Sequence, residues 1–218
     1  MRPASRCPGC AVAIAPYDNV PVLSWMVLRG RCRSCDGGIS PRYPLVELAT
    51  GVLWALVVAA KHDAVDIALG LALVTVLVPV TLIDLDLRII PNRITLPAAV
   101  AAIVGGLLLD PGHVPEQVIA GAAAGGFFLV AALAYPRGMG MGDVKLAGVL
   151  GLYLGRAVAP ALFVALISGV LVGALVIARK GATEGRKTAV PFGPFLAVGG
   201  VVALFAGDLL VDAYLGRF

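Results

Sequence analysis

Residues 65–88 read VDIALGLALVTVLVPVTLIDLDLR, an apolar run that ends on two acids, Asp84 and Asp86. A helix needs about 20 apolar residues to cross the hydrocarbon core of a bilayer. The run is interrupted only by Asp66 near its start and by the two acids at its end. The stretch therefore predicts a membrane helix whose last turn carries ionisable side chains at one face of the membrane.

The rest of the chain has the same apolar character. It has 218 residues, of which 60% are hydrophobic and 14% charged, and its mean hydropathy is +0.96. Soluble domains carry about 25% charged residues, so the composition excludes that class and predicts an all-α polytopic membrane protein. Seven spans are predicted, at residues 45–60, 65–84, 94–109, 116–135, 143–154, 157–178 and 190–211. The shortest, 143–154, is expected to be shielded by neighbouring helices.

Lys and Arg alternate strongly between the two ends of these spans. Cytosolic loops are enriched in both residue types, so the richer side, which includes the N-terminus, is predicted to be cytosolic. That side carries Arg2, Arg6, Arg29, Arg31, Arg33, Arg42, Arg88, Arg93, Arg137, Lys145, Arg179, Lys180, Arg186 and Lys187. The outer side carries Lys61, Arg156 and Arg217. The net charge of +4 follows from this pattern and indicates no nucleic acid partner. The expected partner is the lipid bilayer of the inner, or cytoplasmic, membrane.

All four cysteines lie near the N-terminus, as the pairs Cys7-x2-Cys10 and Cys32-x2-Cys35. Two such pairs bring four thiolates into the tetrahedral geometry that zinc prefers. Residues 1–42 are too few to bury a core of their own, so a structural metal is expected there. Two disulfides are the alternative in an oxidising compartment. The predicted cytosolic location favours a zinc-binding segment.

A further acid, Asp143, follows the glycine-rich stretch GMGMG at 138–142. Asp143 could have a purely structural role as a helix N-cap, because Asp is favoured at that position. Gly140 and Gly142 also permit close backbone approach, as a substrate strand would require. Acids are costly near lipid and are functional candidates there. Two acids on different helices, such as Asp84 and Asp143, can share a proton as in the aspartic proteases.

Three more residues are candidate supports of this site. Pro91 limits the helix before it. Glu47 lies one turn inside the first span, where it either pairs with a nearby Arg at the interface or lines the active cavity. Lys145 is expected to be an interfacial anchor and a counter-ion for Asp143.

Together these residues resemble the type IV prepilin peptidases, also called type III leader peptidases, a family of membrane aspartyl proteases. The resemblance covers almost the whole chain. Besides both cysteine pairs it includes 17–25 (YDNVPVLSW), 39–47 (ISPRYPLVE), 84–92 (DLDLRIIPN), 138–146 (GMGMGDVKL) and 191–197 (PFGPFLA). It implies that residues 43–218 form a transmembrane aspartyl peptidase domain. It also implies that Asp84, seven residues before Pro91, and Asp143 are catalytic, whereas Asp86 is not.

The resemblance implies cleavage of the short basic leader of prepilins and pseudopilins at the cytosolic membrane face, in type IV pilus assembly or protein secretion. Many relatives also methylate the new N-terminus with S-adenosylmethionine. The sequence contains no glycine-rich methyl-donor site of the soluble type, so methylation is implied by the resemblance alone. The competing hypotheses are an ion-coupled membrane transporter and a noncatalytic zinc-knuckle scaffold of a secretion system.

Members of this family usually have another membrane helix before the first cysteine pair. This chain has only six residues ahead of Cys7. The expectation is that either the start codon is assigned too late or this lineage has lost that helix.

Overall fold

The computed structural model describes residues 5–135, 138–181 and 190–216. Within these ranges the chain forms eight α-helices and no β-strand. They are α1 (Leu23–Val27), α2 (Arg42–Ala60), α3 (Ala64–Leu87), α4 (Asn92–Leu109), α5 (Val114–Ala134), α6 (Met141–Leu154), α7 (Val158–Lys180) and α8 (Gly193–Leu215). The predicted all-α architecture is confirmed.

The chain divides into two compact units, which we call unit 1 (residues 1–56) and unit 2 (residues 57–218). The predicted domain boundary between residues 42 and 43 stays a prediction. Helices α2 to α8 follow the seven predicted spans, with ends shifted by a few residues. Six stretches of the described chain are long and apolar enough to cross a membrane, because α6 and α7 together count as one stretch, Met141–Lys180. The protein is therefore a multi-pass membrane protein.

Helices α6 and α7 nevertheless run in opposite directions. The chain turns at Gly155, which has a φ of +53°. The start of α7 lies near the C-terminal part of α8, because Ala157 is beside Gly207. The middle of α7 lies near the start of α8, because Gly169 is beside Phe192. Helix α7 is thus antiparallel to α8.

Helix α6 runs parallel to α8, between the same two ends of unit 2. One end, which we call the aspartate end, holds Asp84 against the first residue of α8, Gly193. At the other end Arg156 reaches Asp208 and Asp212 of α8 at 3.5 and 3.2 Å. The stretch 141–180 therefore crosses unit 2 twice.

The two candidate acids lie at the same end of unit 2, as the charge pattern predicts. Asp84 belongs to the last turn of α3 and Asp143 to the first turn of α6. At the opposite end, Glu116 accepts a hydrogen bond of 2.9 Å from the backbone N–H of Arg156. Five of the basic residues in the charge pattern, Arg2, Arg137, Arg186, Lys187 and Arg217, lie outside the described residues.

The sequence around Pro91 ends one helix and begins the next. Arg88 adopts a left-handed conformation with φ +55°, and its N–H donates to the carbonyl of Asp84 at 2.9 Å. This is a helix C-terminus closed by a left-handed residue. Pro91 then precedes α4 and lacks the N–H that a continuing helix would need. The predicted break before Pro91 is confirmed.

Helix α6 forms the centre of unit 2. Leu146, Ala147 and Leu150 have no exposed surface, and α6 contacts α3, α4, α5, α7 and α8. The Tyr153 hydroxyl donates to the buried carbonyl of Ala98 in α4 at 3.0 Å. The expectation that this short segment is shielded by protein is confirmed.

Small residues allow α5 and α6 to pack closely, which is how membrane helices commonly associate. A Cβ added to Gly151 would lie 2.5 Å from the carbonyl oxygen of Ala120, and one added to Gly125 would lie 3.6 Å from the Cα of Gly148. Gly173 of α7 has no such role, because a Cβ there would meet nothing within 4 Å.

We expect Gly151→Ala to destabilise the protein by about 1–3 kcal/mol, because the added methyl overlaps a backbone that cannot move aside. Thermal unfolding in detergent, followed by circular dichroism, measures the change. Gly173→Ala is the matched control, and it should be neutral or stabilising because Ala favours a helix by about 1 kcal/mol over Gly. Equal melting temperatures for the two variants would contradict the packing.

Candidate active site

Asp84 is buried although it lies at the end of a membrane helix. Its residue surface is only 5% exposed, while Asp86, two residues later, is exposed. The helix places these neighbours about 200° apart around its axis, so only one of them can face the interior of unit 2. The structure thus separates two acids that look alike in the sequence.

The buried carboxylate of Asp84 is held by the first residue of α8. The backbone N–H of Gly193 donates to its Oδ2 at 2.8 Å. A helix N-terminus has free N–H groups and partial positive charge, which makes it a natural partner for an anion. A Cβ at position 193 would lie 2.6 Å from Oδ2, so glycine is required for this approach.

The role of Gly193 was missed at the level of sequence. The available signal was Pro-Phe-Gly-Pro at 191–194. Proline in the first turn favours a helix start, and a glycine beside it suggests close approach by another group. Nothing in that pattern identifies Asp84 as the group.

Asp143 is held by its own helix. It is the third residue of α6, and its Oδ2 accepts the N–H of Gly140, the N-cap residue, at 3.2 Å. It is therefore not the N-cap that the structural alternative assumed, but its side chain still binds a free N–H of the helix start. Asp143 is half-buried and close enough to Asp84 for the two charges to interact.

Gly142 brings the start of α6 against the loop between α3 and α4. A Cβ at this position would lie 2.8 Å from the Cβ of Ile90. The approach holds the end of α3 close to the start of α6. Gly140 has no such neighbour, since the nearest atom to an added Cβ is Oδ2 of Asp143 at 3.5 Å. The predicted part of both glycines in admitting a substrate strand stays a prediction.

Lys145 and Pro91 lie around the same junction. The Lys145 ammonium donates to the side-chain oxygen of Asn92 at 2.8 Å, which links α6 to the start of α4. The carbonyl of Pro91 accepts the N–H groups of Ile94 and Thr95 at 3.0 and 3.2 Å. These contacts fix the relative position of the two helix starts next to Asp143.

Glu47 lies in unit 1, where its Oε2 accepts the backbone N–H of Val22 at 2.8 Å. Val22 has φ +60°, which is costly for a β-branched residue. The strained backbone of Val22 thus points its N–H at the charged carboxylate of Glu47. The two predicted roles of Glu47, pairing with a nearby Arg at the interface or lining the active cavity, stay predictions.

Cys7, Cys10, Cys32 and Cys35 converge in unit 1. Their four Sγ atoms lie within 4.8 Å of one another, and all four thiols are free. The Sγ atoms of Cys7 and Cys35 are 3.8 Å apart. A tetrahedron with metal–sulfur bonds of about 2.3 Å has sulfur–sulfur edges of about 3.8 Å. The cluster therefore has the dimensions of a four-thiolate metal site.

The two cysteine pairs have the same backbone structure. The N–H of Cys7 donates to the carbonyl five residues later at 3.0 Å, and the N–H of Cys32 does the same at 2.8 Å. The fifth residue of each turn, Ala11 and Asp36, has a positive φ of 57° and 55°. Each pair is thus a closed knuckle that presents its thiols to the other.

Crowding of the thiols makes their protonation unequal. Backbone N–H groups of Cys10 and Gly9 lower the pKa of Cys7 to about 6. For Cys35 the N–H of Gly37 acts in the same direction, but the thiols of Cys10, Cys32 and Cys7 outweigh it and raise its pKa to about 12. Four thiolates cannot collect here unless a cation compensates their charge, which fits a divalent metal.

An ion pair joins the second knuckle to the turn at Pro16–Asn19. Arg33 donates to both carboxylate oxygens of Asp18, at 2.9 and 2.6 Å. Arg33 lowers the pKa of Asp18 first through this hydrogen bond and then through its charge. The Arg33 side chain is 52% exposed, whereas that of Asp18 is 10% exposed, so this half-shielded pair fixes the position of the knuckle against the turn.

Comparison with known proteins assigns both units. Residues 1–61 match the bacterial peptidase A24 N-terminal domain, and residues 71–177 match the type IV leader peptidase family. The prepilin leader peptidase/N-methyltransferase of Aeromonas salmonicida (strain A449) is 39% identical over 229 residues, covering 99% of this chain and 75% of that protein. That of Aeromonas hydrophila is 38% identical, covering 100% and 77%. That of Neisseria gonorrhoeae is 42% identical, covering 95% and 73%. No solved structure gives a significant match.

Proposed function

The chain belongs to the type IV leader peptidase family, and from that premise we propose that it removes the leader peptides of prepilins or pseudopilins with Asp84 and Asp143 as its catalytic pair. The observation that carries the proposal is the meeting of two acids from α3 and α6 at one end of unit 2. Both carboxylates are held by backbone N–H groups, which orients them without adding a competing charge. A transporter is less well supported, because its coupling acids are expected deeper in the membrane.

Hydrolysis would use a water molecule between the two carboxyl groups. The ionised member takes a proton from this water, while the protonated member donates a hydrogen bond to the scissile carbonyl. As the water oxygen attacks the carbonyl carbon, the protonated carboxyl group would give its proton to the carbonyl oxygen, so the pair still holds one proton, now on the member that took it from water. When the peptide C–N bond breaks, this proton would pass to the leaving nitrogen, and the other carboxylate would take back a proton from a hydroxyl group of the intermediate. The Gly193 N–H would fix the orientation of the Asp84 carboxyl group during these steps.

The proposal includes the cytosolic face of the inner membrane as the site of cleavage. The charge pattern of the sequence supports this, because it assigns most of the basic residues at the predicted span ends to the side of Asp84 and Asp143, and cytosolic loops are enriched in such residues. The N-terminus would lie on the same side. The basic leader of a substrate would then approach acids and anionic headgroups from the cytosol.

Methylation of the new N-terminus is part of the proposal because the relatives are named prepilin leader peptidase/N-methyltransferase. S-adenosylmethionine would be the methyl donor. This activity rests on the relatives' names, whereas the peptidase proposal also rests on the geometry of the two acids.

For the four cysteines we propose a structural zinc ion. The sulfur spacing suits a tetrahedral ion, and thiolates prefer zinc among the common metals. The ion would hold together a segment with little apolar core. Among the described residues before Arg42, Cys7 is the only hydrophobic residue that is buried. No step of peptide hydrolysis would involve the metal.

We expect Asp84→Asn and Asp143→Asn each to lower the rate of leader cleavage by at least about 10²–10⁴-fold, because an amide cannot exchange the proton that attack requires. The double variant should be no worse than either single one, since the two act as a unit. The measurement is cleavage of a purified prepilin in detergent, followed by mass spectrometry. Asp86→Asn is the matched control and should retain most of the activity. Near-normal cleavage by Asp84→Asn would disprove the assignment.

We expect Gly193→Ala to lower kcat by about 10²-fold with little change in KM, because the methyl group would displace the Asp84 carboxyl group. Gly207→Ala is the control on the same helix, where an added Cβ would also lie 2.6 Å from its nearest neighbour, the Cβ of Ala157. That variant should lose stability but keep the kcat of the folded fraction. Equal loss of kcat in both variants would show that Gly193 acts only through packing.

We expect the purified protein to contain one zinc ion per chain, and Cys7→Ser or Cys35→Ser to lose it together with thermal stability. Elemental analysis by mass spectrometry gives the zinc content. Leader cleavage should initially resist a chelator, since the metal is proposed to be structural. A folded, active preparation that contains no zinc would contradict this prediction.

A further inference from the structure

Unit 1 carries an apolar surface that the proposed reaction does not use. Leu23, Met26 and Val27 of α1 are 62%, 63% and 75% exposed. Their spacing of three and four residues places them on one side of the helix. We call these three side chains the α1 face. Contiguous exposed apolar side chains usually mark a contact surface.

The opposite side of α1 is fixed by the interior of unit 1. The indole Nε1 of Trp25 donates to the carbonyl of Ile39 at 2.9 Å, and its ring lies so close to Gly30 that an added Cβ would be 2.8 Å away. The Ser24 hydroxyl donates to the carbonyl of Tyr17 at 3.0 Å. These contacts prevent α1 from rotating its apolar residues inwards.

A hydrogen bond sets the depth of α1 along the first membrane helix. The Val22 N–H, just before α1, donates to Glu47, which lies five residues after the first residue of α2, Arg42. Five helical residues rise about 7.5 Å. Tyr43, beside Arg42, is 67% exposed, and such residues mark the boundary between headgroups and acyl chains. The start of α1 is therefore level with the second turn of a membrane helix.

Two cations follow α1 directly. Arg29 and Arg31 are both exposed, and no acidic side chain pairs with either in the described part of the chain. Arginines next to a membrane helix attract the anionic headgroups of the cytoplasmic leaflet. The α1 face and these two arginines thus combine an apolar and a cationic surface at one depth.

We propose that the α1 face lies in the interface of the bilayer, with Leu23, Met26 and Val27 among the upper acyl chains and with Arg29 and Arg31 against anionic headgroups. Interfacial helices bury their apolar side by about 5–10 Å, which agrees with the depth set by Glu47. The lipid surface would then hold the cysteine segment close to the membrane. This inference does not depend on the peptidase activity.

The test uses tryptophan fluorescence of the full-length protein in lipid nanodiscs. The chain has two Trp residues, so Trp54→Phe leaves Trp25 as the sole reporter on α1. Lipids brominated near the headgroup should quench Trp25 more strongly than lipids brominated near the chain end. A higher fraction of anionic lipid should increase this quenching, and Arg29→Gln with Arg31→Gln should remove the increase.

Replacement of the α1 face by Leu23→Ser, Met26→Ser and Val27→Ser should abolish most of the lipid quenching. The matched control is Val12→Ser with Val20→Ser, which changes exposed apolar residues of the same unit outside α1 and should leave quenching intact. An unchanged melting temperature shows that each variant is folded. The proposal fails if the α1 variant is quenched like its parent. It also fails if Trp25 responds to added prepilin but not to lipid, because the face would then bind substrate.

Discussion

The arrangement of unit 2 depends on the need to satisfy a buried carboxylate. Asp84 has almost no solvent contact, and an ionisable group without partners is costly in such a place. The N–H of Gly193 provides the partner and thereby sets where α8 begins relative to α3. Because α8 also packs along α7 and α6, the position of one hydrogen bond constrains the arrangement of four helices. Asp143 needs no partner from another helix, since it is half-buried and accepts a hydrogen bond from an N–H at the start of its own helix.

Much of this architecture can be predicted from local sequence. The apolar runs identify the spans, and the basic residues assign Asp84 and Asp143 to one end without any three-dimensional information. Pro91 prevents a helix from continuing because its ring replaces the backbone N–H that a helix needs. The cysteine spacing likewise predicts a four-sulfur cluster, because each knuckle is closed by hydrogen bonds within six residues. In all these cases the cause and the effect are close together in the chain.

The features that escaped prediction depend on distant residues. Gly193 and Asp84 are 109 positions apart, and no local pattern relates a glycine at a helix start to an acid on another helix. The contact between Gly142 and Ile90 is of the same kind: the glycines suggest close approach, but not what approaches. Glu47 shows the converse. Its position at a span entrance suggests a charged partner, whereas the strained backbone of Val22 offers an N–H that sequence patterns do not reveal.

The shortness of α6 affects how a substrate gains access. Its 14 residues rise about 21 Å, whereas the hydrocarbon core is about 30 Å thick. Its far end is fixed at the surface by Arg156, Asp208 and Asp212, so the shortfall falls at the start of the helix, beside Asp143. Helices α3 and α8 do not extend far beyond this level, because α3 ends at Leu87, three residues after Asp84, and α8 begins at Gly193, which binds Asp84. The two acids consequently lie at helix ends just inside the membrane, bordered by the loops that precede α4, α6 and α8. A peptide bond that is to meet both acids must therefore come to this level, between loops rather than between continuing helices.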